Sequence, residues 1–135
     1  MCSYYLDEKL LPNGFDYPKQ YVDFIASEGT LEDPWSFFYG ELPKFKNKTH
    51  LELCFTGLKK RYQDRDVVPF ADFLCTDDIA CFDLSQDKPK GAVIIIHAFA
   101  SPGWEGREEF KDFNAWLAHA KQCAKDWKAE MGDNA

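Results

Sequence analysis

A cysteine nucleophile needs an imidazole close enough to take its proton, and Cys75 or Cys81 with His97 is the pairing from which a cysteine hydrolase would have to be built. The plainer reading makes both cysteines small apolar fillers and His97 a strand histidine whose ring nitrogens find backbone or hydroxyl partners. His50 and His119 have no ligand-like neighbours along the chain. Asp72, Asp77, Asp78 and Asp83 carry oxygens that suit a hard cation, but they lack the alternating ligands and terminal Glu of a calcium loop. They read better as turn residues. No Gly-rich phosphate loop, nucleophile elbow or paired helical His occurs. No catalytic residue, metal or cofactor is therefore expected.

Binding residues are easier to nominate. From Asp72 to Asp87 there are five Asp and no Lys or Arg, a segment of -5. From Lys44 to Arg65, Lys44, Lys46, Lys48, Lys59, Lys60, Arg61 and Arg65 stand against Glu52 and Asp64, a segment of +5. Such an uneven field either steers a charged partner or simply keeps the surface solvated. Two tryptophans add apolar anchors. Trp35 follows Glu32, Asp33 and Pro34 and is by default a core residue, whereas Trp104 sits in the Gly- and Pro-containing loop Ser101 to Gly106. The candidate partner-binding residues are Glu32, Asp33, Asp72, Asp77, Asp78 and Trp104.

The elements that must carry these residues fit one domain spanning all 135 residues, without repeats or a linker. The net charge of -7 works against phosphate-backbone binding, so nucleic acid is not an expected partner. No secretory signal is readable at Met1 to Glu8, and the longest apolar run, Ala92 to Ile96, is too short for a membrane span. Five scattered cysteines, at 2, 54, 75, 81 and 123, form no disulfide framework, and a cytoplasmic protein is expected. Oligomeric state is not readable.

Tyr17-Pro18 opens a first helix that Gly29 ends, and Trp35 to Tyr39 is a strand or extended loop. Leu51, Cys54, Phe55, Leu58 and Tyr62 recur at helical spacing between Thr49 and Tyr62, with Gly57 a weak point. Three strands follow, Val67 to Phe73, Ile79 to Leu84 and Gly91 to Phe99, with connections short enough for antiparallel pairing. The spacing of Phe110, Phe113, Leu117, Ala120, Ala124 and Trp127 predicts a long amphipathic helix, with Glu108 and Glu109 at its start and Lys121, Lys125 and Lys128 near its end. The class is α+β: a central antiparallel sheet flanked by an N-terminal helix, a second helix and the long C-terminal helix.

The order of these pieces resembles the SUKH superfamily of Smi/Knr-like domains. The matching stretches are Tyr17 to Phe24 with Gly29, Val68-Pro69-Phe70-Ala71, Cys81-Phe82-Asp83-Leu84, Val93 to Ala100 leading into Ser101, and Glu109 to Phe113 with Trp116-Leu117. The resemblance implies an α+β fold with no catalytic centre and a role in binding protein. In bacteria such domains are largely immunity proteins that neutralise polymorphic or contact-delivered toxins; fungal relatives regulate cell-wall synthesis. The acidic surface would suit a basic nuclease toxin. The expectation is a non-enzymatic immunity protein, with a regulatory or scaffold domain binding an endogenous protein as the alternative.

Overall fold

The computed structural model describes residues 2–39, 48–74 and 76–132. Lys44 and Lys46 of the basic segment, and Cys75, lie outside the described residues. The elements in chain order are β1 (Cys2–Ser3), α1 (Lys19–Ala26), β2 (Trp35–Tyr39), α2 (His50–Arg61), β3 (Val67–Phe73), β4 (Asp78–Asp83), β5 (Val93–His97), β6 (Gly106–Phe110) and α3 (Phe113–Gly132). The strands form one antiparallel meander in the order β1-β2-β3-β4-β5-β6. The fold is α+β.

Both faces of the sheet are covered, which is why β3, β4 and β5 are almost continuously apolar rather than alternating. One face carries Val68, Phe70, Phe82 and Val93 and packs against α1 and α3. Phe70 stacks on Phe82 at 4.4 Å between ring centroids and meets Trp116 edge-on at 4.8 Å. Tyr21 joins them through edge contacts to Phe82 and Phe113, each at 5.3 Å. Ring pairs of this kind add about 0.5–1.5 kcal/mol each beyond the area they bury. The other face carries Ile79, Cys81, Ile94 and Ile96 and lies under Leu51, Phe55 and Leu58 of α2.

In β3 the register slips by one residue between Pro69, opposite Cys81, and Ala71, opposite Ala80. Proline cannot donate to a ladder, so a central strand holds one where pairing is already broken by a bulge. Phe70 is the extra residue, and it turns its ring into the aromatic face.

Local sequence accounts for the helix ends. Pro18 precedes α1, and its carbonyl accepts the N–H groups of Tyr21 and Val22. At the other end, Gly29 N–H donates to Phe24 O and Glu28 N–H to Ile25 O, the paired bonds of a Schellman end. The left-handed residue there is Glu28, at φ 60°, one position before the glycine the sequence marks as the stop. Gly29 is needed for a different reason: a Cβ there would lie 2.6 Å from the Phe24 ring. Thr49 caps α2 by accepting Glu52 N–H, and Lys59, Lys60 and Arg61 oppose the dipole at its end.

The start of the last helix is a correction. Glu108, Glu109 and Phe110 belong to strand β6, where Glu109 pairs with Ile94 and Phe110 with Val93. The cap of α3 is Asp112, whose Oδ1 accepts the N–H of Ala115 at 2.8 Å. The ladder to β5 holds the two glutamates extended, and Glu109 reaches Lys88 Nζ at 2.6 Å rather than a helix N-terminus. Along α3 the buried residues are Phe113, Trp116, Ala120 and Ala124, so Trp116 takes the central place on the stripe.

The end of α1 makes opposite predictions for adjacent residues. Glu28→Gly should raise stability by about 0.5–1 kcal/mol, because the left-handed backbone strains any residue with a Cβ. Gly29→Ala should lower it by about 1–3 kcal/mol by overpacking against Phe24. Thermal and denaturant melts of the two variants check both signs.

Candidate functional site

The antiparallel meander sends the start of β2, the β3–β4 turn and the β5–β6 connection to one end of the sheet. All six candidate residues lie at that end, but only three share a site. Asp72, Asp77 and Asp78 line a cleft of about 750 Å³ between α2 and the β3–β4 turn. Its opposite wall is Lys60 and Arg61 of α2, and Ile79 and Phe38 lie beneath. Three carboxylates of the acidic segment and two cations of the basic one, separate in the sequence, thus face each other across one cleft.

Each carboxylate is held differently. Asp72 Oδ1 accepts the Ser36 hydroxyl at 3.0 Å. Asp77 keeps its side chain exposed, while its carbonyl accepts Ala98 N–H at 2.8 Å and so ties the turn to the β5–β6 connection. Asp78 Oδ1 lies 2.9 Å from His97 Nδ1 across the β4–β5 pairing. His97 therefore has a carboxylate partner rather than the backbone or hydroxyl partner expected.

Gly57 lies on the face of α2 turned to the cleft, and a Cβ there would meet nothing within 4 Å. The glycine that weakens the helical pattern widens the cleft.

The remaining candidates stand apart. Glu32 is exposed and pairs with Lys128 Nζ at 2.9 Å, facing the C-terminal helix. Asp33 is exposed ahead of the cis peptide to Pro34. Trp104 is 75 % exposed on the β5–β6 connection, and Phe99, 66 % exposed on the same connection, borders the cleft. These two rings are the most exposed large apolar side chains among the described residues.

That connection is not a loose loop. Tyr62, buried at the end of α2, puts its hydroxyl 2.5 Å from Ala100 O and 3.0 Å from Ala98 O. Arg61 donates to Phe99 O at 3.1 Å and lays its guanidinium over the Phe99 ring at 5.4 Å. Glu105 is 5 % exposed; its Oε2 accepts from Arg65 Nε at 2.8 Å and its Oε1 from Gly103 N–H at 2.6 Å. Burial pushes the Glu105 carboxyl up, but Arg65 and the surrounding N–H groups together hold it below its ordinary value. Sequence reading missed Tyr62, Arg65 and Glu105 as the clamps of this site. Their partners are 35–40 residues away in the chain, so no local pattern marks them.

The structure does not bring Cys81 and His97 together. Cys81 pairs with Ile94 and His97 with Asp78, three registers apart, so the two side chains leave opposite faces of the sheet about 10 Å apart along the strands. Cys81 is fully buried, and burial pushes its thiol well above the ordinary value, with Cys54 and Asp83 adding to the rise. Asp83 is buried as well and accepts the N–H and hydroxyl of Ser85, the turn role expected of it. Among the described residues no group of three His, Cys, Asp or Glu is placed to hold a metal ion, and no helix is long and apolar enough to cross a membrane.

The Glu105 clamp predicts an acid-sensitive stability. A carboxyl held below its ordinary value of 4.5 contributes fully above that pH, and the contribution is lost as the pH falls through the lower folded value. Glu105→Gln should lose about 1–3 kcal/mol at pH 7, and progressively less as the pH falls below 4.5 and through the lowered folded value. Urea melts of parent and variant across a pH series from 7 downward measure the narrowing difference.

No protein-family model, curated protein or solved structure matches the chain.

Proposed function

We propose that this chain is a non-enzymatic protein-binding domain of the immunity type, which neutralises a toxin by seating part of it in the cleft beside α2. The observation that carries this reading is the cleft itself, where apolar floor and ordered charges lie next to the exposed Phe99 ring. Interfaces are anchored by buried aromatics and oriented by complementary charge. The partner surface that fits has basic groups for Asp72 and Asp77, an acidic group for Lys60, and an apolar side chain for the floor. The resemblance to SUKH domains supports the same reading, since their bacterial members act by occupying toxins.

Such a site needs a rigid rim. The Tyr62, Arg61 and Glu105 contacts hold the β5–β6 connection in place before any partner arrives, which reduces the ordering cost of association.

The deciding experiment is to read the coding neighbours of this chain's gene and to co-express the chain with any toxin encoded there. Survival of the cells is expected, and continued killing despite soluble, folded protein overturns the proposal. Gly57→Trp, at a position where a Cβ would meet nothing within 4 Å, projects its indole into the cleft and should abolish protection while the fold persists. Asp77→Lys should slow association with the toxin by about tenfold at low salt, with the gap closing as salt rises.

A further inference from the structure

His119 and Cys123 are four residues apart on α3 and therefore share one side of the helix, on the sheet face away from α2. His119 Nε2 lies 3.4 Å from Cys123 Sγ. Behind the imidazole, Glu108 of β6 brings Oε2 to 4.0 Å from His119 Nδ1. The Phe110 ring, 5.0 Å from the imidazole, holds it from the side. A thiol, a base at its sulfur and a carboxylate behind the base is the order in which an activated nucleophile is assembled. The expectation that His119 lacks neighbours of this kind is thus corrected by the fold.

The cluster opens on a cavity of about 690 Å³ that Trp35, Asp78 and Arg107 also line. Trp35 is 1 % exposed, and its Nε1–H makes no hydrogen bond of ordinary geometry. The indole nitrogen sits beside the Cys123 sulfur, where it favours negative charge. Burial is the largest influence on the Cys123 thiol and raises it; the indole opposes that rise, and Asp126 and Glu108 reinforce it. The thiol is therefore protonated at rest, and its reaction requires His119 to take the proton.

We propose that Cys123 is a thiol–disulfide exchange site for small, positively charged disulfides. His119 Nε2 takes the Sγ proton as Sγ attacks one sulfur of the disulfide. The new S–S bond forms, the old one breaks, and the departing thiolate recovers the proton from His119. Cys123 is oxidised to a mixed disulfide, and the small disulfide is reduced to one thiol. The charge preference follows from the groups around the cavity. Asp78 of β4, Glu108 of β6 and Asp126 of α3 outnumber Arg107, so a cation is concentrated there and an anion repelled.

The test is incubation of the folded chain with cystamine at neutral pH, with peptide mass mapping of each cysteine over time. Cys123 should react at least about tenfold faster than the buried Cys81 or the half-buried Cys54, whose thiol is pushed up to about 12 by its apolar surroundings, and His119→Gln should slow Cys123 by at least about tenfold. Glu108→Gln, at an exposed strand position, should slow it by a smaller factor. Anionic glutathione disulfide should react more slowly than cystamine at low salt, and the gap should narrow at high salt. Equal Cys123 rates in the parent and in His119→Gln, with Cys81 still protected in both, overturn the proposal. A faster reaction with the anionic disulfide overturns the charge preference.

Discussion

Because strand side chains alternate between faces with a period of two, the extra residue at Phe70 reverses the parity of everything after it in β3. Before the bulge, Val68 and Phe70 face the aromatic layer; after it, Ala71 and Phe73 do. Asp72 is thereby turned to the α2 face, opposite Ile79, where it meets Ser36 and the cleft. A strand in perfect register would drive its carboxylate into the layer of Phe70, Phe82 and Trp116, at the heavy cost of an unpaired buried charge. Core and candidate site are thus set by one irregularity, and Pro69 is the residue in the sequence that accompanies it.

The same bulge explains how one sheet can serve two layers of different character. The α1/α3 side is filled by rings in edge and stacked contacts, with Trp35, Tyr21, Phe70 and Phe113 almost wholly withdrawn from water. The α2 side is richer in aliphatic residues, with Phe38 and Phe55 as its buried phenyl rings, and is covered by one helix rather than two. Among the described residues that helix leaves the end of the sheet uncovered, and the space there is the cleft. A helix without a glycine at position 57 would narrow the space. Intrinsic helix stability of about 1 kcal/mol is given up at Gly57 for volume at the site.

Much of this was legible in the residues. The helical spacing of Leu51, Phe55 and Leu58, the β-branched run of β5 and the apolar stripe of α3 are local patterns, and they place the elements nearly where they stand. Glu108-Glu109-Phe110 was not legible, because acidic residues before an amphipathic stripe look like a helix start. What makes them a strand is the ladder to Val93 and Ile94, a contact between distant parts of the chain. The grouping of Asp72, Asp77 and Asp78 could be nominated from charge alone, whereas Lys60 and Arg61 as the facing wall could not. Their approach depends on α2 crossing the sheet, which no spacing encodes.

That facing arrangement changes what the net charge of -7 does. Fields from exposed charges decay over about 8–10 Å at physiological salt. Farther out, the acidic and basic walls of the cleft largely cancel, and an approaching molecule senses the overall negative charge. Inside that distance the walls separate, and a partner must offer cations toward Asp72 and Asp77 and an anion toward Lys60 to avoid leaving charges opposed. For the partner proposed above, overall acidity would govern how fast it arrives, while the cleft would govern the orientation in which it stays. A uniformly basic surface would be attracted but would meet Lys60 and Arg61 on docking, so the geometry selects for a patterned surface over a merely basic one.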